Sequence, residues 1–206
     1  MDFVIDQPKD RRMFIATFES FLYEVELHDN ELKLKRFQEI HDAPVSCIEY
    51  LPLKQYAQTL AEEFDDAQFS INLGVVSDFI VTASFDWSIK IFEVEDLDSP
   101  AYQLNYHKDF VSCMHVNPVN PYLLASADSD GVLAIWDLRK KTSEPIFNWK
   151  APYAISTVKW NQTGDQIAVC NCKGGVRLMS ARKALVNLKE DAVNGLVQNG
   201  FEPSSV

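Results

Sequence analysis

The sequence predicts an all-β fold built from repeated four-stranded antiparallel units. Three observations carry this. Two hairpins line up, "VTASFDWSIKIF" at 81–92 and "LASADSDGVLAIW" at 124–136; each has an alternating apolar strand, a tight Asp-containing turn and a second alternating strand. Two further stretches, "HDAPVSCIEYLP" from His41 and "HKDFVSCMHVNP" from His107, each put a His before a strand that ends at Pro. The spacing is regular: Asp86 to Asp130 and Ser112 to Ser156 are each 44 residues, and Trp136 to Met179 is 43.

Composition sets the bounds. The chain has 206 residues, 47% of them apolar and 12% aromatic, enough for a packed core. A net charge of −11 disfavours non-specific binding to nucleic acid or an anionic membrane, which needs a basic face. No apolar run is long enough to span a bilayer, and "MDFVIDQPKDRRMF" lacks the apolar stretch of a signal peptide. Cys47, Cys113, Cys170 and Cys172 form no CxxC pair and read as reduced thiols of an intracellular protein.

Taken in order, the first unit covers 2–37, where "IATFESFLYEV" from Ile15 fits the hairpin loosely. The second covers 42–106. His41 and His107 are 66 residues apart, so this unit carries an insertion, placed at 52–76. Leu53, Tyr56, Leu60 and Phe64 recur there at helical spacing; the segment is either a short amphipathic helix or a disordered acidic loop. The third unit covers 108–149. The fourth covers 151–188, with "KAPYAISTVKW" keeping the strand and losing the His, and "AVCNCKGGVRLM" as its hairpin. Residues 1–188 thus form one repeat domain, and 189–206 are a tail.

A period near 44 with a His before one strand and "WD" closing another, at Trp136 and Asp137, resembles the WD40 repeat, which implies a β-propeller of about four blades, partial relative to a seven-blade ring. In such repeats a His, a Ser or Thr, a turn Asp and a Trp form a buried hydrogen-bond chain. The resemblance assigns His107, Asp130 and Trp136 to it in blade 3, with Asp128 where Ser or Thr is usual. It assigns His41, Ser84 and Asp86 in blade 2, where Phe92 replaces the Trp. Blade 4 has Lys173 and Met179 at the Asp and Trp positions and is expected to be held by packing alone. These sets resemble a catalytic triad, but no Ser stands in a nucleophile elbow, so no catalytic residue is expected. His41 with Cys47 and His107 with Cys113 are read as strand residues and not as metal ligands. "CNCKGG" at 170–175 lacks a strand-to-helix phosphate cradle and is read as a hairpin turn. No cofactor, metal or small-molecule substrate is expected.

Within the WD40 class the chain resembles the C-terminal propeller of the dynein intermediate chain, cytoplasmic type. The residues that carry this are "FIVTASFDWSIKIF", "HDAPVSCIEY", the stretch from Ser129 to Pro145, "AISTVKWNQTGDQIAVCNCKGGVRLM" and "MDFVIDQPKDRRMFIATFESFLYEV", together about residues 2–180. The insertion and the altered polar chains depart from the pattern. The resemblance implies a non-catalytic scaffold subunit docking on the dynein heavy chain, cytoplasmic and cytoskeleton-associated, within a microtubule motor complex. It further implies the last four blades of seven, without the extension that binds light chains and dynactin. Alternatives are an axonemal or intraflagellar dynein intermediate chain, acting in a cilium or flagellum, and a WD40 adaptor of another complex.

If the turns sit as in a WD propeller, Phe85 and Trp87, their blade 1 equivalent Phe18, and Phe110 and Tyr153 on the connections between blades gather on one rim. They either cap their own sheets or form an aromatic docking surface for a protein partner.

Overall fold

The computed structural model describes residues 2–5, 12–28, 31–63 and 76–181, without side-chain detail at 2–5, His28 and 60–63. Leu60 and Phe64, and the tail at 189–206, therefore lie outside what is described. Four antiparallel sheets form among the described residues, each meandering in chain order. Blade 1 is β1 (Asp2–Ile5), β2 (Arg12–Ala16), β3 (Phe21–His28) and β4 (Glu31–Glu39). Blade 2 is β5 (Val45–Leu51), β6 (Phe79–Ser84), β7 (Ile89–Glu93) and β8 (Tyr102–Leu104). Blade 3 is β9 (Val111–Val116), β10 (Leu123–Asp128), β11 (Val132–Asp137) and β12 (Phe147–Lys150), and blade 4 is β13 (Ile155–Trp160), β14 (Gln166–Asn171) and β15 (Val176–Ser180). This all-β arrangement is that of partial WD40 propeller blades.

The alternation seen in the sequence decides the packing. In β7, Ile89 and Ile91 are fully buried, while Lys90 between them is partly exposed. Central strands are buried on both faces because each blade is sandwiched by its neighbours: β10 is buried at all six positions. Three apolar layers result. Phe14 and Leu22 meet Ile80 and Phe92 between blades 1 and 2. Val81 and Ile91 meet Met114 and Trp136 between blades 2 and 3. Leu133 and Ile135 meet Val158 and Ile167 between blades 3 and 4.

The first strands of the blades stand side by side in the order β1, β5, β9, β13, and among the described residues β13 makes no comparable contact with β1. The blades form an arc, and its two end faces carry exposed apolar groups: Leu32, Leu34 and Phe37 on blade 1, Val176 and Leu178 on blade 4. Tyr23 and Phe37 stack across the blade 1 face at 5.8 Å.

The insertion begins as a helix, α1 (Leu53–Glu63). Leu53 and Ala57, one turn apart, are buried, and Tyr56 meets Tyr122 edge-on at 5.9 Å. Its first turn is tied down from outside the helix: Asp78 accepts from the Lys54 backbone N–H at 2.8 Å and from the Tyr50 hydroxyl at 2.9 Å. Blades 1 and 2 are also joined by charge. Glu24, fully buried, accepts from the Arg36 guanidinium, which reaches on to the Val94 carbonyl of blade 2 at 2.8 Å.

Candidate aromatic rim and the polar chains beneath it

The turns between the second and third strands of each blade lie against the connections between blades. Phe85 N donates to Pro44 O at 2.9 Å, Ser129 N to Phe110 O at 2.9 Å, and Cys172 N to Ala154 O at 2.9 Å. This places all five aromatics of interest at one end of the blades.

Beneath that end runs the polar chain of blade 3. The Trp136 indole donates to Ser126 Oγ at 2.8 Å, Ser126 Oγ lies 2.7 Å from His107 Nε2, and His107 Nδ1 lies 2.8 Å from Asp128 Oδ2. Protons run in one direction along it, from indole to hydroxyl to imidazole to carboxylate, which leaves no buried group unpaired. Two assignments made from the sequence change. Asp128, not Asp130, is the carboxylate; Asp130 is exposed and pairs with Lys150 at the surface. Ser126, not Asp128, is the hydroxyl position. Asp128 ends β10 and is fully buried beside His107, so the imidazole is already served, and Asp130, at the turn position that Asp86 holds in blade 2, faces solvent.

Blade 2 does the same with other residues. His41 Nε2 lies 2.8 Å from Thr82 Oγ1, so Thr82 and not Ser84 is the hydroxyl link; His41 Nδ1 lies 2.8 Å from Asp86 Oδ2. Ser84 instead donates to the carbonyls of Ala43 and Pro44, at 3.0 Å each, and receives the Asp86 N–H at 3.1 Å. Asp86 Oδ1 takes the hydroxyl and backbone N–H of Ser88 at 2.6 and 2.9 Å. Burial pushes the Asp86 carboxyl up, but bonds from His41 and Ser88 outweigh it and hold the group far below the ordinary carboxylate range. Phe92 fills the Trp position with a buried ring that donates nothing. Thr82, Ser88 and Ser126 were missed. A signal for two of them was present, since Thr82 and Ser126 are themselves one period apart.

Among the described residues blade 4 shows no such chain, and Lys173 is exposed. It is not held by packing alone. Ser112 Oγ donates to Ile155 O at 2.6 Å and Asn117 Nδ2 to Gly164 O at 2.8 Å, both from blade 3 to blade 4, and Trp160 N donates back to His115 Nδ1 at 3.0 Å. Burial, helped by nearby Lys159, pushes His115 down to about 4, so its ring stays a neutral acceptor. The Asn171 amide oxygen accepts from Lys173 N and Gly175 N and ties the hairpin turn.

The serines and histidines of these chains are buried, with Ser126 and Thr82 at 0% exposure, so neither set offers a nucleophile to a substrate. Among the described residues no three of His, Cys, Asp and Glu converge as metal ligands. The cysteines are free thiols, and burial pushes the Cys113 thiol up to about 11.

On top of the chains lies the aromatic row. Phe18 of blade 1 meets Phe85 of blade 2 edge-on at 6.0 Å, and Phe85 stacks on Phe110, which leads into blade 3, at 4.9 Å. Phe18, Phe110, Trp87 and Tyr153 are all substantially exposed. Trp87 also has φ +72°, the left-handed region, at the turn position held by Gly131 (φ +88°) in blade 3 and Gly174 (φ +79°) in blade 4. Glycine adopts that conformation without penalty, whereas a residue with a Cβ loses about 1–2 kcal/mol. Gly131 also needs its size, since a Cβ there would stand 2.6 Å from the Tyr153 carbonyl oxygen.

Residues 98–137, the end of blade 2 and most of blade 3, match the family model of the WD domain, G-beta repeat. A WD40 repeat is present. The chain is 29% identical over 114 residues to the cytoplasmic dynein 1 intermediate chain of Drosophila melanogaster, which covers 54% of this chain and 17% of that protein. It is 37% identical over 79 residues to a probable cytosolic iron-sulfur protein assembly protein CIAO1 homolog of Dictyostelium discoideum, which covers 35% of this chain and 24% of that protein. The chain thus spans less than a quarter of the length of either relative. No helix among the described residues is long and apolar enough to cross a membrane.

Proposed function

We propose that this protein is a non-catalytic WD40 scaffold subunit of a dynein motor complex, cytoplasmic and associated with microtubules, that docks on the dynein heavy chain through its aromatic rim. The observation that carries the reading is the similarity to a cytoplasmic dynein intermediate chain over 54% of the chain, on top of the WD40 repeat. The rim supports it physically. Phe18, Phe85 and Phe110 form a continuous aromatic surface across three blades, and aromatics bury large area at small rotamer cost when a partner covers them. The buried polar chains beneath hold that surface rigid and do no chemistry. Affinity capture of the tagged protein from cells tests the reading: dynein heavy chain is expected in the eluate and is lost in the Phe18→Ala, Phe110→Ala double variant. Absence of heavy chain from the wild-type eluate overturns the assignment. A second reading, an adaptor of another multiprotein complex, is favoured by the similarity to the iron-sulfur assembly protein and would appear as other stoichiometric partners in the same eluate.

A further inference from the structure

We infer that Trp87 is the anchor of the rim and that the rim takes a basic amphipathic helix of a protein partner, recognised by aliphatic side chains on the phenyl rings and Arg or Lys at its flanks. The inference rests on the rim being the docking face and specifies what docks there.

The first support is the conformation of Trp87. Its turn needs a left-handed residue, and two other blades supply glycine. Here the largest side chain of all occupies the position and is half exposed, so its ring does not repay the strain through burial within this chain. Backbone strain retained without a gain in packing marks a residue kept for an external contact. Neighbouring turns show that a small residue suffices: Ser20, at φ +69° in blade 1, closes the same turn.

The second support is charge. The turns and connections that flank the row, at 17–20, 40–44, 85–88 and 105–110, contain four carboxylates, Glu19, Asp42, Asp86 and Asp109, against one amine, Lys108. Asp86 stays ionised, held by His41 and Ser88. A partner meeting this rim therefore carries positive charge around its apolar centre, and a guanidinium can lie over the indole face as well. The third support is continuity. Phe18, Phe85 and Phe110 are in unbroken ring contact at 6.0 and 4.9 Å, so an apolar strip crosses from blade 1 to blade 3 and suits the apolar face of a helix.

The test uses the 206-residue chain and two synthetic 18-residue helical peptides. Both carry Leu at one face; one has Arg at the flanking positions and the other Glu. Titration calorimetry and melting are measured for wild type and Trp87→Gly. The expected result is binding of the Arg peptide only, weakened by salt, and lost by about tenfold or more in Trp87→Gly while the melting temperature rises by about 2–4 °C. Three results overturn the inference: neither peptide binds or both bind alike; Trp87→Gly lowers the melting temperature, which makes the indole a cap of the fold; or Trp87→Gly binds as wild type. Heavy-chain capture is run on the same variants. Capture retained by Trp87→Gly keeps the scaffold reading and removes the anchor. Arg-peptide binding without heavy-chain capture by wild type does the reverse.

Discussion

Blades 2 and 3 place a carboxylate oxygen at the same point in space from different points in the sequence. Asp86 and Asp128 each give one oxygen to a histidine Nδ1, 2.8 Å away in both blades. Each gives its other oxygen to a backbone N–H at the far end of its turn, that of Ser88 just before β7 at 2.9 Å and that of Val132 at the start of β11 at 2.8 Å. Yet 44 residues on from Asp86 is Asp130, and 44 residues before Asp128 is Ser84. The carboxylate has moved by two positions, from the turn in blade 2 to the end of the second strand in blade 3, while the recipient groups have stayed put. Blade 4 shows the remaining half of the design: Asn171, 43 residues after Asp128, still ties its turn to Gly175 N at 2.9 Å, with no histidine to serve. What the fold requires is an acceptor between a histidine and a turn N–H, and more than one sequence position can supply it.

The largest expected effect comes from breaking that acceptor in blade 3. Asp128→Ala leaves the buried His107 Nδ1–H unpaired and frees the partly buried Val132 N–H, and is expected to cost about 2–3 kcal/mol in urea unfolding. A cost below that of Asp130→Ala would return the role to Asp130. Next is a transfer. Asp86→Ala alone strands His41; adding Ser84→Asp puts a carboxylate at the blade 3 position and is expected to recover about half the loss, read from the shift in urea midpoint. A double variant less stable than Asp86→Ala would show that the two positions are not equivalent in space.

The pH dependence separates the blades further. Asp86 has a folded pKa held below its unfolded value of about 3.9, so its contribution is present above that value and is lost as pH falls through it. His115 is pushed down to about 4 against an ordinary 6.5, so the unfolded chain binds its proton first and stability falls from about pH 6.5 to pH 4. His115→Gln, which keeps an acceptor for Trp160 N, is expected to flatten the limb between pH 6.5 and 4 and to leave the more acid one, which Asp86→Asn flattens instead. Denaturant midpoints across pH read both. The smallest effect is expected for Asp130→Ala. Its pair with Lys150 is exposed at both ends, and such pairs contribute less than about 1 kcal/mol.

Much of this was legible in the sequence, for identifiable reasons. Alternation and the 44-residue period set the strands, the turns and the all-β class, because strand burial has a period of two and each blade must cover its neighbour. The helical spacing of Leu53 and Tyr56 fitted the start of α1, one of the two readings the insertion allowed, and the resemblance to a WD propeller put Phe18, Phe85 and Trp87 on turns and Phe110 on a connection between blades. The left-handed demand at Trp87 was half visible too, through Gly131 one period later.

Tertiary structure alone decided the rest. Asp128 and Asp130 are two residues apart with the same chemistry, and only the folded turn distinguishes the one buried against His107 from the one in solvent. Thr82 and Ser126 became links because their strands carry them under the imidazole, a matter of depth that strand pattern does not encode. That Phe18 touches Phe85 and Phe85 touches Phe110 follows from the stagger between blades, contacts between residues up to 67 positions apart in sequence. Local pattern is written by nearest neighbours along the chain, whereas reach, depth and stagger are set by blades packing on one another.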